Sequence, residues 1–137
     1  MTDWVWPATH KPFTEYVGFV YIIRNTINDK YYIGQKKFWS DSTLKPLKGK
    51  KQSRHKRIES KWKDYYGSSK ELLGDIERHG KGAFSRKILF LCKSKAQMNY
   101  LETELQFKHH VLFDSNSYNK IVNCRISWNQ LKNVEWN

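Results

Sequence analysis

Gly18-Phe19-Val20-Tyr21-Ile22-Ile23 and, beyond a polar stretch, Tyr31-Tyr32-Ile33-Gly34 are the two runs whose reading decides the fold. Both are rich in β-branched and aromatic residues, which fit a pleated, half-buried surface. The residues between them include the turn formers Asn28 and Asp29, so the runs read as the two strands of a β-hairpin. Side chains on a strand alternate in face. A tyrosine from each strand, Tyr21 and Tyr32, can therefore point to one side with the hydroxyls close together.

Working outward, the first sixteen residues are aromatic and irregular, with Trp4, Trp6, Pro7, Pro12 and Phe13; they read as an arm that packs onto the domain. After Gly34 the pattern breaks into loop from Gln35 to Ser53, punctuated by Asp41, Ser42, Pro46 and Gly49. Ile58, Trp62 and Tyr65 then recur at helix-face spacing and predict a helix over His55 to Tyr65. Gly67 ends it, and Tyr65 to Ser69 reads as a turn between helices. Ser68 or Ser69 can cap a second helix whose apolar face is Leu72, Leu73 and Ile76, stopped by Gly80 and Gly82. Phe84 to Cys92 reads as a third strand. Ser94 is a cap for a helix from Lys95 to about Val111, with Met98, Leu101, Leu105 and Phe107 apolar. Asp114 to Asn119 is a loop, Ile121 to Ile126 a short extra strand, and the tail from Trp128 to Trp136 is expected to return to the core.

The order β-β-α-α-β-α predicts an α+β fold: a small, mostly antiparallel three-stranded sheet flanked by helices, with a basic insertion after the second strand. A length of 137 residues suits one domain, with a core over about 17–122, an arm at 1–16 and a tail at 128–137.

Charge restricts the partners. Lys plus Arg number 25 against 13 Asp plus Glu, a net of +12, and the usual reason for carrying such self-repulsion is a polyanionic partner. Nucleic acid fits, since neutralising phosphates releases condensed counterions. A membrane does not: no segment reads as a basic amphipathic helix with a large apolar face, and the apolar runs are strand-length. No secretory signal is legible. Cys92 and Cys124 lie in apolar surroundings without metal-knuckle spacing and read as two reduced core thiols of an intracellular protein.

Phe19-Val20-Tyr21 followed by Tyr31-Tyr32-Ile33-Gly34 resembles the signature of the GIY-YIG nucleases. So does what comes later: Glu102 in an apolar helical context after the third strand, then the pair Tyr118-Asn119, in the family's order. The resemblance spans roughly residues 17–122 and is nearest to the small stand-alone, homing-like endonucleases of bacteriophages. It departs at Phe19, where the family name has Gly (Gly18 lies one residue earlier), and in the lysine-rich insertion, which displaces the basic helix.

The resemblance implies a divalent-metal-dependent DNA endonuclease working with one Mg²⁺ (or Mn²⁺) and a tyrosine-assisted water, leaving 5′-phosphate and 3′-hydroxyl ends. Tyr21 is the preferred base with Tyr32 orienting, though the reverse is open, and nearby cations would have to lower the phenol pKa. Glu102 is the candidate metal ligand, a hard oxygen donor on a helix facing the sheet, whereas Glu104 points away. Arg57 or Arg54, with His55, would grip the phosphate, and Asn119 would orient a nearby loop or tyrosine. Lys36, Lys37, Lys48, Lys50, Lys51, Arg54, Lys56, Arg57, Lys61 and Lys63 would track duplex DNA by backbone contacts. Adjacent His109 and His110 diverge and are treated as surface. A homodimer or transient two-copy assembly on DNA is one expectation, and the cytoplasm of a bacterial or phage-infected cell another. The alternative is a non-catalytic basic nucleic-acid-binding module on the same fold.

Overall fold

The computed structural model describes residues 3–44, 46–49 and 54–134, and of 42–44, 54 and 55 the backbone alone. The arm contributes β1 (Trp4–Val5), a two-residue strand lying parallel to the last strand of the main sheet. Its Trp4 indole Nε1 donates to the carbonyl of Trp62 at 2.9 Å, which fixes the arm to the core.

The hairpin is formed by β2 (Gly18–Asn25) and β3 (Tyr31–Lys37). Its turn is built by side chains. The Asn25 Oδ1 accepts from the Ile27 N–H, the Asn28 Oδ1 accepts from the Lys30 N–H, and Asp29 takes a left-handed φ of 60°, a conformation that Asp and Asn tolerate better than other residues. The third expected strand is β6 (Phe84–Cys92), antiparallel to β2 with a bulge between Val20 and Tyr21. The order β1-β6-β2-β3 thus contains the expected antiparallel three-stranded sheet, with β1 added at one edge and β3 left outermost at the other.

The insertion differs from expectation. Instead of a helix over His55 to Tyr65, β5 (Arg54–Glu59) pairs antiparallel with β4 (Trp39–Leu44) in a separate two-stranded sheet, and a single 3₁₀ turn follows at Trp62–Asp64. The spacing of Ile58, Trp62 and Tyr65 imitates a helix face, but Ile58 is exposed while Trp62 is buried among aromatic rings. With little apolar surface to bury, the basic run is held across the strands instead. Arg57 lies opposite Asp41 and stacks its guanidinium 4.0 Å from the Trp39 ring.

Both later helices start where expected. The Ser69 side chain accepts from the Leu72 N–H at the head of α1 (Lys70–His79), and Ser94 does the same for Gln97 at the head of α2 (Lys95–Lys108). Gly80, at φ 83°, closes α1. The sheet separates two apolar layers. Phe19, Tyr21, Ile23, Phe84 and Ile88 pack with Trp4, Phe38, Trp62 and α1 on one side, and Val20, Ile33 and Cys92 pack with Met98 of α2 on the other. Phe107 is exposed, since it lies two positions from Leu105, off the buried stripe.

Beyond α2, residues 121–126 carry no strand pairing, and Trp128, in the short α3 (Trp128–Leu131), is exposed rather than returned to the core; Trp136 lies outside the described residues. Cys92 is buried as expected, but Cys124 is exposed, because the segment that carries it joins no sheet.

Candidate active site

Pairing of the hairpin sets Tyr21 opposite Gly34 and Tyr32 opposite Ile23. The two tyrosines therefore share a face, their ring centroids 6.3 Å apart. Gly34 makes this possible. A Cβ there would lie 2.5 Å from the Tyr21 hydroxyl oxygen and 2.9 Å from a Tyr32 ring carbon. Tyr65 closes the cluster with its ring edge-on to Tyr21 at 6.0 Å, and the Tyr32 hydroxyl shares a hydrogen bond of 3.1 Å with the Ser68 hydroxyl.

The carboxylate arrives from the other side of the sheet. Helix α2 packs on the opposite face, and Lys95, Asn99, Glu102 and Gln106 form a polar stripe at i, i+4, i+7 and i+11 along it. Gln35 of β3 meets this stripe: its Nε2 donates to Glu102 Oε1 at 2.9 Å and to Asn99 Oδ1 at 2.7 Å, and its Oε1 accepts from Lys95 Nζ at 2.6 Å. Glu102 and Tyr32 both line a groove of about 580 Å³, together with Ser68, Lys70, Asn119 and Lys120. Tyr21 does not line it; only 1% of its surface is exposed. Glu104 is exposed, off the stripe.

Electrostatics separate these groups. Burial pushes the Tyr21 phenol well above 10, helped by the neighbouring Tyr65 and Tyr32 phenols and by Glu102. Tyr32 is also raised, by burial first, with the Ser68 bond pulling the other way. The net lowering by nearby cations expected from the sequence is not found, because burial outweighs every other influence on both phenols; Lys36 sits over the Tyr65 ring at 4.5 Å. Burial raises Glu102 above its ordinary range, opposed by the Gln35 hydrogen bond and by Lys95.

Asn119 is buried and bonds both backbone groups of Ile33, the residue between Tyr32 and Gly34. Its Oδ1 accepts from the Ile33 N–H at 3.0 Å and its Nδ2 donates to the Ile33 carbonyl at 2.8 Å. A side-chain amide thus stands in for a strand partner on the outer edge of β3. Beside it the Tyr118 hydroxyl donates to Asp75 at 2.7 Å and accepts from Asn25 Nδ2 at 3.1 Å, tying α1 and the hairpin turn to the same segment.

The expected basic residues are spread more widely. Lys36 and Lys37 flank the cluster on β3. Lys48 lies exposed in the insertion, Lys56 and Arg57 are exposed on β5, and Lys61 and Lys63 are exposed before α1, with Lys63 4.0 Å from Glu59. Lys50 and Lys51 lie outside the described residues, and so do the side chains of Arg54 and His55. Arg57 does not line the groove of Tyr32 and Glu102; it is engaged with Trp39 of the separate hairpin. His109 and His110 are exposed just past α2. Gln35, Tyr65, Ser68, Lys95 and Asn99 were not anticipated as members of the cluster. Lys95 and Asn99 were readable from their helical spacing to Glu102, but Tyr65 and Ser68 come from a turn with no periodic signal.

Among the described residues no set of three or more His, Cys, Asp or Glu side chains gathers. The donor chemistry at the groove is two carboxylates, Glu102 and Glu71, of which Glu71 is already paired with Lys30 at 2.9 Å, with the side-chain amides of Gln106 and Asn119 nearby. That fits a hard divalent ion such as Mg²⁺, which commonly takes one or two protein carboxylates and fills its other positions with water and substrate phosphate. Glu102 is the residue that would hold it.

One family model, described as "Putative endonuclease segE, GIY-YIG domain", matches residues 4–123. No curated protein matches the chain, and no solved structure does. The match takes in β1, the whole four-stranded sheet, both long helices and Asn119. With a same-face tyrosine pair packed over Gly34 and a glutamate brought to it by the following helix, the chain belongs to the GIY-YIG family of endonucleases.

Proposed function

We propose that this chain, read as one nuclease domain over 1–137, hydrolyses phosphodiester bonds of double-stranded DNA with the help of one Mg²⁺ or Mn²⁺. The observation that carries the reading is that Tyr32 and Glu102, from elements far apart in sequence, line one groove together with Lys70 and Lys120. The bound ion would supply charge neutralisation on the phosphate and on the departing oxygen. Glu102 holds it. Tyr32, facing the groove, orients the attacking water and takes its proton while passing its own phenol proton through the exposed Ser68 hydroxyl to solvent. Tyr21, behind it, is a neutral packing and orienting partner, so the roles first preferred for the two tyrosines are exchanged. Burial is the reason: a phenol that is 1% exposed neither meets water nor ionises readily. Water adds to phosphorus as the bond to the 3′ oxygen breaks, and that oxygen takes a proton from solvent, giving 5′-phosphate and 3′-hydroxyl ends. Asn119 acts through Ile33, holding the edge strand that carries Tyr32. The lysines, with Arg54, His55 and Arg57 on the separate hairpin, contact the backbone of the duplex outside the reacting centre. One such site cuts one strand, so a double-strand break takes two copies or two successive events. The cytoplasm of a bacterial or phage-infected cell is the proposed setting.

The test is cleavage of supercoiled plasmid with Mg²⁺ or Mn²⁺, with and without chelator, by wild type, Glu102→Ala and Tyr32→Phe. Cutting that needs the metal and both side chains is expected; Glu102→Ala cutting like wild type refutes the assignment. The net charge of +12, together with the absence of an arginine among the described groove residues, favours one second reading, a non-catalytic binding module. It predicts salt-sensitive DNA binding and no strand breaks in any divalent metal.

A further inference from the structure

Gln35 joins the groove to a second pocket of about 530 Å³, lined by Gln35 itself, Lys36, Lys37, Ser60 and Lys95. Cations reach it from both sides of the sheet. Lys36 leaves β3 on the tyrosine face, whereas Lys95 comes from the first turn of α2 on the opposite face. Both converge on the outermost strand, where Lys95 donates to Gln35, the residue that holds Glu102, and Lys36 lines the same pocket from the next position of the strand. Asp41 is the carboxylate that lines the same pocket, and in the hairpin it already faces Arg57. Partial burial, and after it the like charge of nearby Lys37, push the Lys95 pKa down, with Glu102 acting the other way. Like charges held together in this way cost repulsion, which an anion placed between them relieves.

We infer that Lys95, fixed by Gln35 and joined by Lys36 and Lys37, binds a backbone phosphate of the DNA strand next to the scissile position. This rests on the nuclease reading for the identity of the strand. The phosphate is an oxyanion of the chemistry that ammonium groups recognise. The subsite continues the track that starts at Lys70 and Lys120, so the cut strand runs along the edge of β3, with Glu102 and Tyr32 between two phosphate grips.

The inference is tested by the salt dependence of binding to a short DNA duplex, measured in chelator on the full chain. Lys95→Met should reduce the slope of log K against log salt by about 0.9, the loss of one phosphate contact. Lys95→Arg should retain it. Lys108→Met removes the same charge from the exposed end of the same helix and should leave the slope as in wild type. In metal, Lys95→Met should raise KM more than it lowers kcat. An unchanged slope for Lys95→Met, or an equal loss for Lys108→Met, overturns the subsite. Cleavage by wild type in Mg²⁺ or Mn²⁺ tests the nuclease reading separately, since the slope is measured without any reaction.

Discussion

Replacing Gly34 by alanine tests whether the tyrosine pair is as closely packed as the structure shows. The added Cβ would sit 2.5 Å from the Tyr21 hydroxyl oxygen, 2.8 Å from its ring carbon Cζ and 2.9 Å from Tyr32. Tyr21 has nowhere to retreat, being held edge-on by Trp4 at 5.3 Å and by Tyr65 at 6.0 Å. Restoring ordinary contact needs a shift of about 1 Å in a ring packed on all sides, and overpacking of that kind costs about 1–3 kcal/mol. At about 4 °C per kcal/mol for a domain of this size, the melting temperature should fall by roughly 4–12 °C. A displacement of about 1 Å at the reacting centre should also slow cleavage on the order of 10²-fold. Gly74→Ala is the internal control. It lies inside α1 with nothing within 4 Å of the new methyl, so it should gain about 0.5–1 kcal/mol from helix propensity alone. Thermal denaturation followed by circular dichroism, with plasmid cleavage on the same samples, reads both effects. Adding Tyr21→Phe to Gly34→Ala removes the closest contact and should recover part of the lost stability. A Gly34→Ala protein that melts and cuts like wild type would falsify the close packing on which the site's geometry depends.

Asn119→Ala leaves the buried Ile33 N–H without its acceptor, while Gln106 still reaches the Ile33 carbonyl at 3.2 Å; the expected loss is about 1–3 kcal/mol, read in the denaturation midpoint. Glu102→Gln should abolish cutting yet keep or raise the melting temperature at pH 7 in chelator. The sign follows from burial: the folded pKa lies above the ordinary 4.5, so what Glu102 contributes to folding is present below 4.5 and is lost as pH rises through the folded value. For the same reason Gln35→Leu, which removes a bond that lowers the Glu102 pKa, should move the pH dependence of the melting temperature in chelator to higher pH; an unmoved dependence counts against Gln35 as the holder of the carboxylate.

What the sequence determined by itself is what repeats over short distances. Alternation placed Tyr21 and Tyr32 on one face, the run Phe84–Cys92 became a strand with those bounds, and Ser69 and Ser94 capped the helices that follow them. That Glu104 points away from Glu102 into solvent also followed from helical period. These features depend on backbone geometry and neighbours a few residues away, so a linear reading contains them. Tertiary structure decided the rest. The basic stretch formed a strand because its pairing partner, Trp39–Leu44, supplied a stacking ring and a carboxylate that the spacing of Ile58, Trp62 and Tyr65 does not reveal. Which phenol meets solvent was set by Trp4 and Tyr65, which seal Tyr21 from residues distant in sequence. The link from Gln35 to Lys95, Asn99 and Glu102 exists only because α2 crosses behind the outer strand. Burial and convergence are properties of the packed chain, and no local period records them.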